Sequence, residues 1–252
     1  VEVAGARAQV IIANPSGISC DGCGFINAYR ATLTTGQPHY GVTGHLDHYL
    51  VRRGTINIVG DGLDTRNTDF TDVIARAVRV NAAIHARDLA VIAGSNDVDA
   101  ATRHTRAVTA EGAPPEVAID VGTLGGMYAR KIWLIGTEAG VGVRSAGTLG
   151  GTTLGGAETI RLTSAGRLEI SGLVSSDRLL ELQADQGLTH RGTLYAGEQV
   201  SLQVAGDLDN RGGLIASGST LSIQDAAPAT KSLAISNTGG TLIGDTVAID
   251  AA

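Results

Sequence analysis

Short triplets of apolar, polar and apolar residues recur along the second half of the chain. They open at Ile160, Leu180, Val200 and Leu221, so each lies about 20 residues after the one before. Because alternate side chains of a strand point to opposite faces of a sheet, each triplet predicts a strand with one buried side. A regular period of this length indicates stacked structural repeats that cover one another.

Two series of leucines keep nearly the same period. They are Leu168, Leu188 and Leu208, and Leu173, Leu194 and Leu214. The period holds three short strands and glycine turns but lacks the consensus and helical half of a leucine-rich repeat, so it predicts one coil of a parallel β-helix. We expect these leucines to point inward. The polar residues expected to face solvent are Arg161, Glu169, Glu181 and Gln203.

The first half of the chain alternates less regularly but also predicts strands. Suitable apolar runs lie at 31–34, 55–59, 75–80, 83–84, 89–92, 117–121 and 132–135. Gly60-Asp61-Gly62 predicts a turn. The alanines between 75 and 89 are compatible with a helix, but Val78 and Val80 share a face at strand spacing and favour strands. The polar segment 37–53 is expected to stand off the main body as a loop or hairpin, and 95–116 is interpreted as a polar excursion that ends in Pro114-Pro115.

A turn-rich block follows the apolar run Val10-Ile11-Ile12. Its sequence is Asn14-Pro15-Ser16-Gly17-Ile18-Ser19-Cys20-Asp21-Gly22-Cys23-Gly24-Phe25-Ile26-Asn27. Asn-Pro and Ser-Gly are turn dipeptides, and the density of glycine and proline excludes a helix. The block therefore predicts a corner between strands.

This block resembles the secretion domain of the large exoproteins exported by two-partner secretion. The resemblance rests on the Asn-Pro-x-Gly-Ile motif of Asn14, Pro15, Ser16, Gly17 and Ile18, followed at once by Cys-x-x-Cys-Gly-Phe-Ile-Asn. It continues through 30–36, 61–64, 75–77, 81–82, 89–96 and 131–143, and after about residue 145 it is one of repeat style only. The family includes filamentous haemagglutinin-like adhesins, related haemolysins and contact-dependent growth inhibition toxins.

The resemblance implies an all-β fold, a right-handed parallel β-helix with short extra-helical hairpins or loops at 39–53 and 96–116. Residues 1–145 would be part of the two-partner secretion (haemagglutination activity) domain. Residues 146–252 would be filament repeats of about 20 residues each. It also implies export through the periplasm to the bacterial surface. The expected partners are an outer-membrane transporter and a receptor on a host cell or a neighbouring bacterium.

Composition and charge narrow the possible functions. The chain contains 35 glycines, while aromatic residues make up 3% and charged residues 17% of it. This composition fits many tight turns around a small aliphatic interior. The formal net charge of −6 lacks the basic footprint that nucleic acid requires. No apolar run approaches the ~20 residues of a membrane-spanning helix, so we expect no direct membrane insertion. The chain opens at Val1 without a signal-peptide pattern, and we expect a mature or partial chain.

The two cysteines, Cys20 and Cys23, allow three interpretations. A zinc site would need a second pair of ligands, and a thioredoxin-like redox pair would need a βαβ setting that the pattern does not show. A local structural disulfide is favoured, because a four-residue turn would bring the two Cα atoms within reach.

Histidines and carboxylates are the remaining candidates for chemistry. His39, His45 and His48 suggest metal ligands, but the nearby glycines favour a solvated loop. His85, His104 and His190 show no pattern. The densest carboxylates are Asp61, Asp64, Asp69 and Asp72, to which we assign turn and surface roles.

The favoured function is non-enzymatic. We expect no catalytic, cofactor or metal site, since no phosphate-binding loop, nucleophile elbow or base-stacking array is visible. By resemblance, the chain is the region of a filamentous haemagglutinin-like adhesin that engages the transporter and begins the shaft. The alternatives are the same region of a growth inhibition toxin or haemolysin with a C-terminal effector, and a polysaccharide-processing β-helix enzyme.

Overall fold

The computed structural model describes residues 1–151 and 155–251, whose regular elements are β-strands. The first twelve strands are β1 (Ala8–Ala13), β2 (Ile18–Gly24), β3 (Ala28–Thr34), β4 (Gln37–Tyr40), β5 (Leu46–Val51), β6 (Thr55–Asp64), β7 (Phe70–Ala75), β8 (Ala77–Val80), β9 (Ala83–His85), β10 (Asp88–Ala93), β11 (Asn96–Asp99) and β12 (Thr105–Ala107). The next nine are β13 (Val117–Val121), β14 (Gly126–Tyr128), β15 (Lys131–Gly136), β16 (Gly142–Ser145), β17 (Thr148–Gly150), β18 (Thr159–Ser164), β19 (Leu168–Ile170), β20 (Leu173–Ser176) and β21 (Leu179–Ala184). The last nine are β22 (Leu188–His190), β23 (Thr193–Ala196), β24 (Gln199–Val204), β25 (Asp207–Asp209), β26 (Leu214–Ser217), β27 (Thr220–Asp225), β28 (Ala234–Ser236), β29 (Thr241–Ile243) and β30 (Thr246–Asp250).

These strands stack into a parallel β-helix with three faces. The first face is a ten-stranded sheet in the order β1-β3-β7-β10-β15-β18-β21-β24-β27-β30. The second face holds β2, β8, β13, β16, β19, β22, β25 and β28, and the third holds β9, β14, β17, β20, β23, β26 and β29. Strand β6 joins the second face to the third, because its first half pairs with β8 and its end pairs with β9. The all-β parallel β-helix prediction is confirmed.

The predicted turn at Gly60-Asp61-Gly62 is a bend inside β6 and does not separate two strands. Gly60 and Gly62 have φ angles of 57° and 75°, in the left-handed region that favours glycine. A Cβ on Gly62 would also lie 2.1 Å from the carbonyl oxygen of Ala83 in the next coil. The bend therefore depends on glycine. Strands β8, β9 and β10 also confirm the strand interpretation of the alanine-rich segment.

The predicted inward ladders are present on the first two faces. Ile160, Leu180, Val200 and Leu221 are consecutive partners across four strands, and all are fully buried. The series that begins at Leu168 stacks in the same way on the second face. One continuous apolar core therefore runs through the β-helix.

The third leucine series is not a ladder, so that prediction was wrong. Leu194 lies between Val174 and Ile215 and is fully buried. Leu173 instead lies opposite Thr193 and is 41% exposed. A shift of one residue in a strand moves a side chain to the opposite face. The step from Leu173 to Leu194 is one residue longer than the repeat, and that extra residue makes the shift here.

Charged side chains outside the shaft pair from one coil to the next. Arg161 contacts Glu181 one coil further on, and Arg178 contacts Glu198 in the same manner. Exposed pairs of this kind contribute only about 0–1 kcal/mol each. They keep the outer surface polar, whereas the stability of the stack comes from the apolar interior.

The two polar segments form a four-stranded antiparallel sheet in the order β12-β11-β5-β4, called here the extra-helical sheet. The hairpin prediction is confirmed, but the expectation that 37–53 stands off the main body was wrong. Tyr49, Val51 and Val98 pack in a buried cluster with Ile74 and Ile92 of the first face. Their inward side chains fix the sheet on the shaft, so the histidine segment is a packed hairpin and not a solvated loop.

Candidate functional site at the N-terminal corner

The predicted corner is a tight turn at Asn14–Gly17. The Oδ1 of Asn14 accepts a hydrogen bond from the backbone N–H of Ser16 at 3.0 Å. Its carbonyl accepts one from the N–H of Gly17 at 3.0 Å, and its own N–H donates to Thr34 in the next coil at 2.9 Å. Asparagine, with Pro15 fixing φ, is therefore suited to this position through its own backbone geometry.

The corner is held by two glycines in close contact with neighbouring backbone. Gly17 has a φ of 127°, and a Cβ there would lie 2.9 Å from the carbonyl oxygen of Thr55. Gly54, which the sequence did not single out, has a φ of 90° and would place a Cβ 2.7 Å from the carbonyl oxygen of Pro15. The two successive coils touch here without intervening side chains.

Asn14 keeps a free amide on the surface. Asn14, Pro15 and Ser16 are all exposed. Among the residues that the structure describes, the Nδ2 of Asn14 donates no hydrogen bond, because only its Oδ1 takes part in the turn. One half of this side chain is thus committed to structure, while the other half is available to a partner.

The chain leaves the corner through β2, which corrects the extent of the predicted turn. Ile18 pairs with Ile56 and packs against the core, and the block from 18 to 24 is extended strand. The ladder with β6 shifts register between Asp21 and Cys23, and Gly22 has a φ of 66°. A bulge in a strand, and not a turn, therefore brings the cysteines together.

The structure joins Cys20 and Cys23 by a disulfide, with Cα atoms 5.5 Å apart. Cys20 is fully buried in the core. Beside the bulge, the Oδ1 of Asp21 accepts a hydrogen bond from the N–H of Asp61 at 2.9 Å. The disulfide closes the bulge within β2, whereas the bond from Asp61 joins β2 to β6 of the next coil.

A shallow groove of about 360 Å³ opens beside the corner. Its lining residues come from the corner, the hairpin and the excursion after β12: Pro15, Thr35, Gln37, Leu50, Arg52, Arg53 and Glu111. Arg53 lies 3.5 Å from Glu111 in an exposed ion pair. The groove offers a partner polar groups from three separate parts of the chain, and the sequence did not indicate that these parts meet.

The carboxylates do not gather into a site. Asp64 pairs with Arg66, and the side-chain hydrogen bond from Arg66 lowers the pKa of the Asp64 carboxyl. Asp61 and Asp69 lie in exposed or half-exposed positions, as expected. Asp72 does not, since it is 3% exposed beneath the extra-helical sheet, so its assignment to the surface was wrong.

The histidine hairpin also lacks the geometry of a metal centre. His39 and His48 stack as opposite residues of the hairpin, with ring centroids 4.7 Å apart. Within residues 1–151 and 155–251, no three side chains of histidine, cysteine, aspartate or glutamate lie close enough to hold a metal ion. The same ranges contain no helix with the length and apolar character to cross a membrane.

Fold and corner together define a parallel β-helical protein whose first coils carry an extra-helical sheet and a tight Asn-Pro turn. A family profile described as the TPS secretion domain matches residues 1–170, and a second, the haemagglutinin repeat, matches residues 174–252. The chain belongs to the family of two-partner secretion (TPS) secretion domains. Proteins of this kind pass through the periplasm to the cell surface.

Individual relatives agree with this assignment. The chain is 52% identical over 196 residues to "Toxin CdiA" of Yersinia pestis, covering 77% of this chain. It is 48% identical over 172 residues to "tRNA nuclease CdiA-2" of Burkholderia pseudomallei strain 1026b, covering 68% of this chain. The chain spans only 6% and 5% of the length of these two relatives.

A solved structure shows the same architecture. The crystal structure of a filamentous haemagglutinin secretion domain superimposes with a TM-score of 0.58 at 28% identity. The match covers 99% of this chain and 69% of that chain. The likeness therefore extends through the repeats as well as the N-terminal coils.

Proposed function

We propose that this chain is the region of a filamentous haemagglutinin-like exoprotein that engages the outer-membrane transporter and begins the β-helical shaft. The observation that carries the proposal is unbroken register between two modules. Strand β15 pairs with β18 at six successive positions across residue 145. Strand β18, within the match to the secretion domain, pairs with β21, within the match to the repeat, at six more. The secretion module therefore supplies the template on which the shaft stacks.

The positions of the irregular features suggest which part of the chain serves secretion and which part forms the shaft. The extra-helical sheet, the disulfide and the corner groove all precede residue 117. We place the end of the secretion module near residue 145 and assign residues 146–252 to the shaft. In this scheme the transporter recognises the N-terminal module before it folds, and the repeats extend it outside the cell.

Asn14–Ile18 is proposed as the secretion motif of this module. Its structural role rests on the Asx-type turn, which aspartate can also make through Oδ1. The exposed amide supports a second, direct role in transporter recognition. We favour the structural role, because both hydrogen bonds that define the turn involve groups that an Asn14→Asp variant would retain.

A second candidate function is toxin delivery. Proteins named CdiA, including a "tRNA nuclease CdiA" of Escherichia coli strain NC101 at 44% identity over 207 residues, match this chain. In that case the present region would serve transport and presentation, while an effector would lie elsewhere in the exoprotein. In both cases we propose no catalytic role for this chain, no nucleic-acid partner and no direct insertion into the membrane. The remaining partner is a receptor on a host cell or a neighbouring bacterium.

Secretion of the full exoprotein with its partner transporter tests the proposal. Without the transporter, the exoprotein should accumulate in the periplasm and be lost from the surface and medium. Surface display in the absence of the transporter would contradict the proposal. Adhesion to host cells then distinguishes an adhesin from a delivery protein, which would instead inhibit the growth of neighbouring bacteria in co-culture.

Paired variants test the motif. Asn14→Asp should be secreted almost normally, whereas Asn14→Ala should lose about 1 kcal/mol of stability by analogy with lost capping bonds. Asn67→Ala, on an exposed turn, is the matched control. If both Asn14 variants fail in secretion but refold with full stability, the amide is recognised directly. Normal secretion of both would remove Asn14 from the mechanism.

A further inference from the structure

Four ionised side chains meet beneath the extra-helical sheet. Arg103, in the turn between β11 and β12, donates from Nε to Oδ1 of Asp72 at 2.8 Å and from Nη1 to Oδ1 of Asp88 at 3.0 Å. On the other side, the Nε of Arg30 lies 3.1 Å from Oδ2 of Asp72. The two carboxylates come from neighbouring coils, on β7 and β10. Arg103 therefore bridges two coils from a third element.

The turn that carries Arg103 is built for this contact. The Oδ1 of Asp99 accepts hydrogen bonds from the N–H of Ala101 at 3.0 Å and of Thr102 at 2.6 Å. Arg103 has a φ of 62°, which is uncommon for a residue other than glycine. Arg30 donates from Nη1 to the carbonyl of Ala100 at 3.0 Å. A local cap and a tertiary contact thus fix the backbone that aims Arg103 at the shaft.

Aromatic rings close the site around the guanidinium. The Cζ of Arg103 lies 5.8 Å from the ring centroid of Phe70 and 5.6 Å from that of Trp133. Both distances are within the range of cation–π attraction. The side chain of Arg103 is 9% exposed and that of Asp72 is 4% exposed. Water is therefore largely excluded from the ion pair.

We propose that Arg103 is an ionic latch that makes the first coils and the extra-helical sheet a single cooperative unit. If the excursion closed without Arg103, Asp72 and Asp88 would be two buried like charges with only Arg30 to compensate them. A buried charge without a partner is strongly unfavourable, so β7 and β10 reach full stability only when the excursion closes over them. The latch is a property of folding and does not depend on the proposed function.

The titration of Asp72 gives the latch a signature. The groups that face this carboxyl are Arg30, Arg103, Asp88 and the hydroxyl of Tyr49. Burial raises the pKa of Asp72, while the guanidiniums of Arg103 and Arg30 oppose that rise. Loss of Arg103 therefore raises the pKa further. A folded-state pKa above the unfolded value means that the variant loses stability as pH rises, because the unfolded chain releases the proton more readily.

Three variants of the whole chain test the latch by native-state hydrogen exchange. In Arg103→Met, amides of β7 and β10 should exchange on the order of a hundredfold faster, while β21 and β24 keep their protection. Arg106→Met is the control, because this arginine of β12 is 78% exposed in its pair with Asp97. The double variant Asp72→Asn/Arg103→Met removes the stranded charge and should recover most of the loss. Exchange in Arg103→Met that matches Arg106→Met would overturn the proposal.

Trp133 supplies an independent readout, since it is the single tryptophan of the chain. Its emission should change in Arg103→Met and remain unchanged in Arg106→Met. The stability deficit of Arg103→Met should also grow as the pH rises above the ordinary range of a carboxyl group. A deficit that does not vary with pH would show lost packing in place of a stranded charge. If Arg103→Met does not fold, folding of the double variant supports the latch. Failure of both overturns it.

Discussion

His190 donates a hydrogen bond from Nδ1 to Oδ1 of Asn210 at 2.6 Å inside the β-helix. The orientation of the Asn210 amide follows from its Nδ2, which donates to Oδ1 of Asn237 at 2.6 Å. His190 is fully buried, and its Nε2 has no hydrogen-bond partner within the described part of the chain. His190, Asn210 and Asn237 thus form a hydrogen-bonded row through three coils, which follows Ile170 in the stack. His190 is held neutral at the start of this row.

The first prediction concerns the pH dependence of stability. Burial lowers the pKa of His190 from its ordinary value of 6.5, so the unfolded chain binds more protons below that pH. The stabilisation is present above pH 6.5 and is lost as the pH falls towards the folded-state pKa. The stability advantage of the parent over His190→Leu should therefore shrink below pH 6.5 in urea unfolding. His45→Gln, at an exposed site, is the matched control. An advantage of His190 that does not vary with pH would contradict the assignment.

The second prediction tests the corrected register on the third face. Leu194→Ala should lower the free energy of unfolding by about 2–5 kcal/mol, because Leu194 is fully buried between Val174 and Ile215. Leu173→Ala removes the same atoms from an exposed site and should stay within about 0.5 kcal/mol of the parent. Denaturant unfolding of the two variants measures the contrast. Equal losses of unfolding free energy in the two variants would show that the register between β20 and β23 is shifted by one residue.

The third prediction places a charge in the first-face ladder. Leu180→Asp should cost several kcal/mol, since Leu180 is fully buried between Ile160 and Val200. Gln203→Asp, on the outward side of the neighbouring strand β24, is the control and should be nearly neutral. Hydrogen exchange should show loosening of the neighbouring coils as well as of β21. A Leu180→Asp variant as stable as its control would mean that Leu180 does not face inward.

The fourth prediction concerns the disulfide. The closed loop spans a sequence separation of 3, so the chain-entropy contribution is only ~2 kcal/mol. Reduction of the parent protein should therefore speed exchange in β2 while the shaft strands stay protected. The bond itself is checked by titrating thiols in denatured, unreduced protein isolated from an oxidising compartment. Two reactive thiols per chain would refute it.

The repeat ladders were predictable because one physical rule generates them. Residues that share the repeat period and the same strand parity must stack, as Ile160 and Leu180 do. The prediction that Leu173 points inward was wrong because sequence spacing near glycines does not reveal which residue begins a strand. The hairpin at 37–53 was found from its polarity. The packing of this hairpin on the first face was not predicted, because the contact between Tyr49 and Ile74 joins residues that are distant in sequence.

The corner was visible in the sequence, whereas its surroundings were not. Asn14-Pro15-Ser16-Gly17 specifies a turn through local bonds, so it can be recognised locally. Asp72 was assigned to the surface because its partner Arg103 lies 31 residues away in an excursion with no regular pattern. Gly54 gave no signal either, since its requirement comes from the backbone of Pro15. Long-range contacts of this kind leave no periodic trace.

The stacking of coils sets how much sequence a given reach requires. One coil of the repeat region uses 20 residues. As an extended chain, that number of residues spans about 70 Å, but one coil advances the shaft by only about 4.8 Å. The extended chain is therefore about fourteen times as long as the stretch of shaft that it builds. A shaft that reaches about 480 Å beyond the cell would need on the order of 2,000 residues at this rise per coil.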